Sequence, residues 1–205
     1  MTDDAAKAWF AAHVSRETLE RLQIYAEELM KWQKAINLVS ASTLPDLWTR
    51  HFLDSAQIFA LADGKTGHWV DIGSGAGFPG LVCAAMAGPE MHFTFIESDL
   101  RKGSFLNSTA AKMGVKIRVL SQRIEDAAPQ NADILSARAL TSLSGLCAFA
   151  ERHLAPDGVA LFLKGATHAK EIEEALEAWT MKMDSLPSRT ADGAVILKIG
   201  EISRA

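Results

Sequence analysis

The sequence predicts an α/β protein with a doubly wound, mainly parallel sheet and a short helical extension at its N-terminus. In its larger, C-terminal part, short apolar runs of strand character alternate with segments of helical periodicity. A glycine-rich turn at 73–80 joins the first of these strands to an apolar helical segment. We therefore expect a helical extension at 1–66, packed on a core domain at 67–205, with a boundary loop at 63–67.

Helical spacing defines the extension. Residues 1–13 are weakly patterned and are expected to fray. A helix should begin after Ser15, whose hydroxyl suits an N-cap, and should end near Ile36. Thr43 is expected to cap a second helix that has Pro45 in its first turn.

The core domain alternates between strand and helix. Pro79, preorganised for a first helical position, should open the helix after the glycine turn. Two terminal strands without an intervening helix predict an antiparallel edge strand. The expected strands lie at 69–72, 91–97, 116–120, 133–136, 159–163, 181–186 and 195–202, and the expected helices at 81–87, 100–113, 143–153 and 168–179.

The glycine turn has the features of a cofactor site. Gly73, Gly75 and Gly77 let the backbone turn sharply and approach a ligand closely. Asp71 ends the strand before the turn, so its carboxylate is expected to face the same space. Glu97 ends the next strand about twenty residues later, where an acidic group accepts hydrogen bonds from ribose hydroxyls. A nucleotide-like cofactor is the expected occupant.

Two classes of cofactor compete for this turn. Gly75 and Gly77, with Gly80, satisfy the dinucleotide fingerprint, which would indicate a nicotinamide or flavin enzyme. Asp71, however, sits where a pyrophosphate would approach. An acidic residue followed by alternate glycines instead resembles the nucleoside-binding turn of class I S-adenosylmethionine-dependent methyltransferases. Acidic groups suit a sulfonium and an ammonium, so charge favours the methyltransferase interpretation.

Composition restricts the class of protein. Of the 205 residues, 48% are hydrophobic and 22% are charged, as in an ordinary globular domain with a short appendage. No apolar run is long enough to cross a bilayer, and residues 1–6 are acidic where a signal peptide is basic, so the protein is expected in the cytoplasm. Cys83 and Cys147 lie in apolar helical patterns without metal-ligand spacing, which favours free thiols and no metal.

The overall charge does not indicate a nucleic-acid-binding protein. The formal net charge is −4 and the pI is near 5.9, whereas such proteins are commonly basic. Any polyanionic partner must therefore meet a local basic patch. Arg101 and Lys102 open a helix where cations oppose the helix dipole, which indicates phosphate contact, with a solvated face as the alternative.

Candidate site residues also follow the later strands. Ile124 and Glu125 should border the crevice and contact the adenine, although a polar loop that starts a helix explains them equally well. Arg138 stands where amine methyltransferases often carry an Asn/Asp-Pro-Pro-Tyr/Phe motif, and the lack of that motif argues against amine methylation. Pairing with a surface carboxylate is the alternative for Arg138. Lys164 adds a cation to the same rim.

His51 and Asp54 could suggest acid–base chemistry. They lie three residues apart in a predicted helix and therefore share a face. A structural hydrogen bond is the favoured interpretation of this pair.

Short motifs occur in order between Trp32 and Lys164. They are Trp32 with 37–40, Arg50-His51 with Asp54-Ser55, the turn at 71–80 that ends Gly-Phe-Pro-Gly, Glu97-Ser98 with Lys102 and Phe105-Leu106, Arg138-Ala139, and Lys164-Gly165. Together they resemble the glucose-inhibited division protein B family of bacterial small-subunit rRNA guanine-N7 methyltransferases. The Gly-Phe-Pro-Gly ending is the most specific of these motifs.

The resemblance implies S-adenosylmethionine as cofactor, S-adenosylhomocysteine as product, and a guanine of 16S rRNA, free or in a small-subunit particle, as substrate. The protein is expected to be a monomer. The predicted cofactor-binding residues are Asp71, Gly73, Gly75, Gly77, Phe78, Glu97, Ile124, Glu125 and Arg138; the predicted catalytic residues are Arg138 and Lys164; the predicted RNA-binding residues are Arg50, Arg101, Lys102, Arg123 and Lys164.

This chemistry agrees with the lack of an obvious base. Guanine N7 carries an in-plane lone pair, so its methylation needs positioning and relief of the developing positive charge rather than proton removal. Arg138 or Lys164 is expected to hold O6 or a flanking phosphate. A nicotinamide-dependent oxidoreductase and a non-catalytic rRNA-binding module stay as alternatives.

Overall fold

The computed structural model describes residues 1–62 and 66–205. The predicted boundary loop at 63–67 falls mostly on residues 63–65, which lie outside the described residues. The division of the chain into 1–66 and 67–205 therefore stays a prediction.

The N-terminal extension is helical. The residues expected to fray form a helix because Thr2 caps it, with its hydroxyl accepting from the Ala5 N–H at 3.3 Å, and because Ala6 and Phe10 are buried. Two apolar anchors are too few to produce a visible periodicity. The extension comprises helices α1 (Asp3–His13) and α2 (Arg16–Trp32), a 3-10 segment (Ala41–Asp46), a π-helical turn (Trp48–Leu53) and helix α3 (Asp54–Ala60).

Helix α2 begins as predicted and ends early. The Ser15 hydroxyl accepts from the Thr18 N–H at 3.1 Å. At the other end, the Gln33 side chain accepts from the Leu38 N–H at 3.0 Å and donates to the Val39 carbonyl at 2.8 Å, which turns the chain back. Thr43 lies inside the 3-10 segment and caps no α-helix, so that prediction is wrong.

The core domain alternates as expected. Pro79 occupies the N-cap position, one residue before the predicted one. The elements are β1 (Gly67–Ile72), α4 (Gly80–Met86), β2 (Met91–Ile96), α5 (Leu100–Met113), β3 (Ile117–Leu120), β4 (Ala132–Arg138), α6 (Leu143–His153), β5 (Leu154–Lys164), α7 (His168–Leu176), β6 (Trp179–Pro187) and β7 (Val195–Arg204).

The sheet has seven strands in the order β3-β2-β1-β4-β5-β7-β6. Its first five strands pair in parallel, and β7 runs antiparallel to both β5 and β6. The doubly wound, mainly parallel fold is confirmed. The antiparallel strand, however, lies inside the sheet rather than at its edge, because β6 continues beyond it and reaches back to Trp179, which was predicted as helix.

Helices cover both faces of the sheet. Side chains of α1 to α5 form one buried cluster with Trp69, and side chains of α6 and α7 form the other with Val70 and Ile72. Leu22 and Phe52 of the extension belong to the first cluster and are fully buried. The extension is therefore continuous with the core on the face that α4 and α5 cover.

Candidate functional site

A cleft of about 440 Å³ opens at the carboxyl ends of β1, β2 and β4. This edge of an open α/β sheet is where ligands bind. Its lining includes the predicted cofactor residues Gly73, Gly75, Glu97, Ile124 and Glu125, the predicted RNA-binding residues Lys102 and Arg123, and also Ala139, Leu140 and Thr141. We call it the cofactor cleft.

The glycine turn is enclosed on both sides. Gly73, Gly75 and Gly77 all have positive φ angles, of 61°, 53° and 90°. A Cβ on Gly73 would lie 2.5 Å from Leu140 Cδ1, and one on Gly77 would lie 2.9 Å from the Tyr25 hydroxyl. The turn therefore requires glycine for its conformation and for its close packing.

Glu97 joins two loops of the cofactor cleft. Its Oε2 accepts from the Gly75 N–H at 2.7 Å, and its Oε1 accepts from the Asp99 N–H at 2.8 Å. A carboxylate has about four acceptor positions, so two remain for a ligand. Glu97 is 8% exposed and lines the cofactor cleft; its contact with a ribose stays a prediction.

The sequence predicted that Asp71 faces the cofactor cleft, but in the structure it does not. Side chains alternate along a strand, so Asp71 points to the same face as Trp69, and its Cβ lies against Gly80. It is 1% exposed, and the Ser136 hydroxyl donates to its Oδ1. Burial outweighs this hydrogen bond and raises the pKa of Asp71 to about 7. Asp71 is therefore not a direct contact for the positive groups of a cofactor in this cleft.

Phe78 and Arg138 lie behind the turn, against the extension. Phe78 is buried, with ring centroids of Tyr25 and His51 at 5.1 and 5.0 Å. The Arg138 guanidinium carbon lies over the Phe78 ring, 4.9 Å from its centroid. Both residues were predicted to bind the cofactor, but neither lines the cofactor cleft.

Several residues of the extension fix Arg138. Its guanidinium donates to His51 Nδ1 at 2.7 Å and to the Arg50 carbonyl at 3.2 Å, and it pairs with Asp54 at 3.5 Å. Because Nδ1 accepts, Nε2 carries the proton and donates to Thr43 Oγ1 at 2.8 Å. His51 and Asp54 thus have structural roles, as expected, but both contact Arg138 instead of each other.

Burial and the positive charges of Arg138 and Arg50 lower the pKa of His51 to about 3. His51 is therefore neutral near pH 7, as an acceptor for Arg138 must be.

A second cleft, of about 310 Å³, lies beyond the end of β4. We call it the β4–β5 cleft. The predicted catalytic residues Arg138 and Lys164 both line it, each beside a carboxylate. Lys164 pairs with Glu171 at 2.5 Å and donates to the Thr141 carbonyl at 3.0 Å. The other lining residues are Asp54, Ala139, Leu163, Gly165, Ser188, Ala194, Val195 and Ile196.

Of the predicted RNA-binding residues, Lys102 and Arg123 line the cofactor cleft, Lys164 lines the β4–β5 cleft, and Arg50 and Arg101 line neither. Asp99 caps α5, accepting from the Arg101 N–H at 2.8 Å, and pairs with the Arg101 guanidinium at 3.3 Å. The Asp99 carboxylate therefore offsets the unfavourable placement of Arg101 at the start of α5, without any phosphate. Arg50, Arg101 and Arg123 are exposed, and Lys102 borders the cofactor cleft.

Three supporting residues were missed by the sequence analysis. The Tyr25 hydroxyl donates to the Ala76 carbonyl inside the glycine turn at 2.5 Å. Arg152 donates twice to the Ala127 carbonyl, and His153 Nε2 lies 3.1 Å from the Ile124 carbonyl. In the sequence, all three look like ordinary helical positions, and no local signal marks them.

Within residues 1–62 and 66–205, no helix is long and apolar enough to cross a membrane. The same ranges contain no group of three or more His, Cys, Asp or Glu side chains arranged to hold a metal ion.

A family model described as rRNA small subunit methyltransferase G matches residues 18–192. The chain belongs to this family. A relative from Ruegeria pomeroyi, named ribosomal RNA small subunit methyltransferase G, is 52% identical over 195 residues, covering 94% of this chain and 95% of the relative. Another of the same name, from Rhodospirillum centenum, is 51% identical over 93% of this chain and 87% of its own length. The resemblance drawn from the motifs is confirmed.

Solved structures agree with the fold of this methyltransferase G family member. A ribosomal protein L11 methylase from Lactobacillus delbrueckii superposes with a TM-score of 0.58 at 20% identity, over 74% of this chain and 76% of that one. A putative S-adenosylmethionine-dependent methyltransferase from Methanococcus maripaludis gives a TM-score of 0.61 at 11% identity, over 88% and 93% of the two chains.

The neutral state of His51 has a consequence for stability. As the pH falls from about 7 to 5, an unfolded histidine takes up a proton and the buried His51 does not, so acid favours unfolding. His51→Gln keeps an acceptor for Arg138 and a donor for Thr43 but removes the titration. In urea denaturation, we expect the wild-type free energy of unfolding to fall by about 1–2 kcal/mol more than that of the variant over this range.

His13→Gln, at an exposed histidine, is the matched control. Equal losses of stability in wild type and His51→Gln would show that His51 is not held neutral.

Proposed function

We propose that this protein transfers a methyl group from S-adenosylmethionine to N7 of a guanine in the 16S rRNA of the small ribosomal subunit. The observation that carries the proposal is the family match over residues 18–192, on a fold whose glycine turn and Glu97 border one cleft. The assignment of guanine N7 as the methylated atom rests on the motif resemblance.

The cofactor cleft fits S-adenosylmethionine. The backbone of Gly73 and Gly75 allows close approach, Glu97 has acceptor positions for the ribose, and Ile124 and Glu125 border the place for the adenine. The remaining predicted cofactor residues do not line the cleft, and we assign them to the support of the glycine turn. They are Asp71, Gly77, Phe78 and Arg138.

Sheet topology supports a methyltransferase over the nicotinamide alternative. Dinucleotide-binding sheets follow the order 3-2-1-4-5-6 with parallel strands. In this protein the antiparallel strand β7 is inserted between β5 and β6. Gly80, the last glycine of the dinucleotide pattern, is required for packing, because a Cβ there would lie 2.7 Å from the Cβ of Asp71.

The proposed reaction needs no proton transfer. S-adenosylmethionine, when bound, would supply the methyl carbon on its sulfonium. The lone pair of guanine N7 would form the new bond to that carbon, and the electrons of the broken S–C bond would stay with sulfur in S-adenosylhomocysteine. The guanine ring gains a positive charge. The protein's part is to position the base and to place negative groups near that charge.

Exposed and cleft-lining basic residues suit the RNA backbone. Arg50, Arg101 and Arg123 are exposed, with Lys102 beside the last two, and phosphate contacts of this kind set the position of the RNA. Arg138 and Lys164 are assigned to positioning in the β4–β5 cleft, where each is held by a carboxylate. Local basic residues of this kind are compatible with the net charge of −4.

We propose a monomer as the working form. The proposed substrate places the protein in the cytoplasm, with the ribosome.

Glu97→Gln tests the cofactor site. One amide oxygen cannot replace the two carboxylate oxygens that accept from Gly75 and Asp99. The two loops should therefore lose their link, and the ribose should lose a hydrogen-bond acceptor. Since a hydrogen bond to a charged group contributes roughly 1.5–3 kcal/mol, we expect the Kd for S-adenosylmethionine to rise about 10-fold or more in isothermal titration.

Glu174→Gln, on the exposed side of α7, is the control and should bind as the wild type does. Wild-type protein that binds NAD as tightly as S-adenosylmethionine would contradict the assignment.

Mass mapping of 16S rRNA tests the function itself. In cells that lack the protein, we expect one N7-methylguanosine to disappear. Expression of the wild-type chain should restore it, and Gly73→Ala, whose Cβ would collide with Leu140, should not. An unchanged methylation pattern in the deletion strain would refute the proposal.

A further inference from the structure

Ala139 separates the two clefts. It is the one described residue that lines both the cofactor cleft and the β4–β5 cleft. Its φ angle of 51° lies in the left-handed region, which is strained for a residue with a side chain and is concentrated at functional sites. A group in the β4–β5 cleft is therefore next to the cofactor cleft, across a single strained residue.

The β4–β5 cleft has the size for a small group. Its volume of about 310 Å³ is at the lower end of ligand pockets, which run from roughly 300 to 1,000 Å³. Base-modifying enzymes take their target out of its stack and hold it in such a pocket. A single flipped base fits this size better than a dinucleotide.

The carboxylates of the β4–β5 cleft favour a ligand that donates hydrogen bonds. Arg138 is paired with Asp54, and Lys164 is paired with Glu171, so both cations are already neutralised. Asp54 has four partners, because its Oδ1 receives side-chain hydrogen bonds from Gln57, Ser188 and Thr190 and its Oδ2 faces Arg138. It is therefore more fully occupied than Glu171, which has three.

Glu171 keeps one acceptor position. Its Oε1 accepts from Thr167 Oγ1 at 3.0 Å, and its Oε2 accepts from the Leu143 N–H at 3.0 Å and from Lys164. These three partners fill three of about four positions on a carboxylate, which leaves one on Oε1. Burial raises the pKa of Glu171, but the hydrogen bonds from Lys164 and Thr167 outweigh it and lower the pKa, so the group is charged at neutral pH.

We propose that the β4–β5 cleft holds the target guanine and that Glu171 Oε1 accepts a hydrogen bond from its exocyclic N2 amino group. This inference rests on the proposed function and names the residue that selects the base. Adenine has no amino group at that position and leaves one acceptor position of Glu171 without a donor, which is a basis for rejection. Lys164 is a positioning residue that holds Glu171.

Inosine tests the hydrogen bond between N2 and Glu171 alone, because it differs from guanosine only in lacking the N2 amino group and keeps N7. Small-subunit RNA is prepared with guanine or inosine at the mapped position, and kcat/KM is measured for each. We expect the wild type to prefer guanine by about 10-fold or more. We expect Glu171→Gln to lose this preference, with kcat/KM for inosine changed less than kcat/KM for guanine.

Glu174→Gln, one turn further along α7, is the matched control and should keep the preference. Cofactor titration of Glu171→Gln checks that the variant is folded, since S-adenosylmethionine should bind it as it binds the wild type. A wild type that methylates both RNAs equally overturns the inference without any variant, and so does a Glu171→Gln enzyme that still prefers guanine. A wild type that methylates neither RNA contradicts the proposed function instead.

Discussion

The backbone of the glycine turn is fixed by contacts from three separate parts of the chain. Glu97 accepts from the Gly75 N–H, the Tyr25 hydroxyl donates to the Ala76 carbonyl, and Leu140 closes over Gly73. The turn adopts positive φ angles that cost free energy in most residues, and the surrounding contacts hold it there. The shape of the cofactor cleft depends on this enclosure, which includes a residue of the N-terminal extension.

The extension also shapes the β4–β5 cleft. His51 and Asp54 hold the Arg138 guanidinium over the Phe78 ring, and Phe78 belongs to the same turn. The two clefts therefore share one support, which runs from α2 through Phe78 to the end of β4. The sheet places the strand ends, and the extension fixes the side chains between them.

Much of the fold could be predicted because its signals are local. The strands could be predicted from the alternating periodicity. The position of Glu97 at the cleft could be predicted from the glycines and from its place directly after β2. Long-range contacts could not be predicted: Arg138 meets His51, 87 residues away in sequence. Asp71 was misplaced because its side chain follows the strand alternation into the core. Tyr25, the one tyrosine of the chain, looks like any core position of a helix.

We propose that Ala139 divides a site for the cofactor from a site for the target base. A crystal structure with S-adenosylhomocysteine would show which cleft the cofactor occupies. We predict electron density in the cofactor cleft, with the ribose hydroxyls on the Glu97 carboxylate and the β4–β5 cleft left open beside Ala139. Density for the ligand between Asp54 and Lys164, in the β4–β5 cleft, would contradict the account.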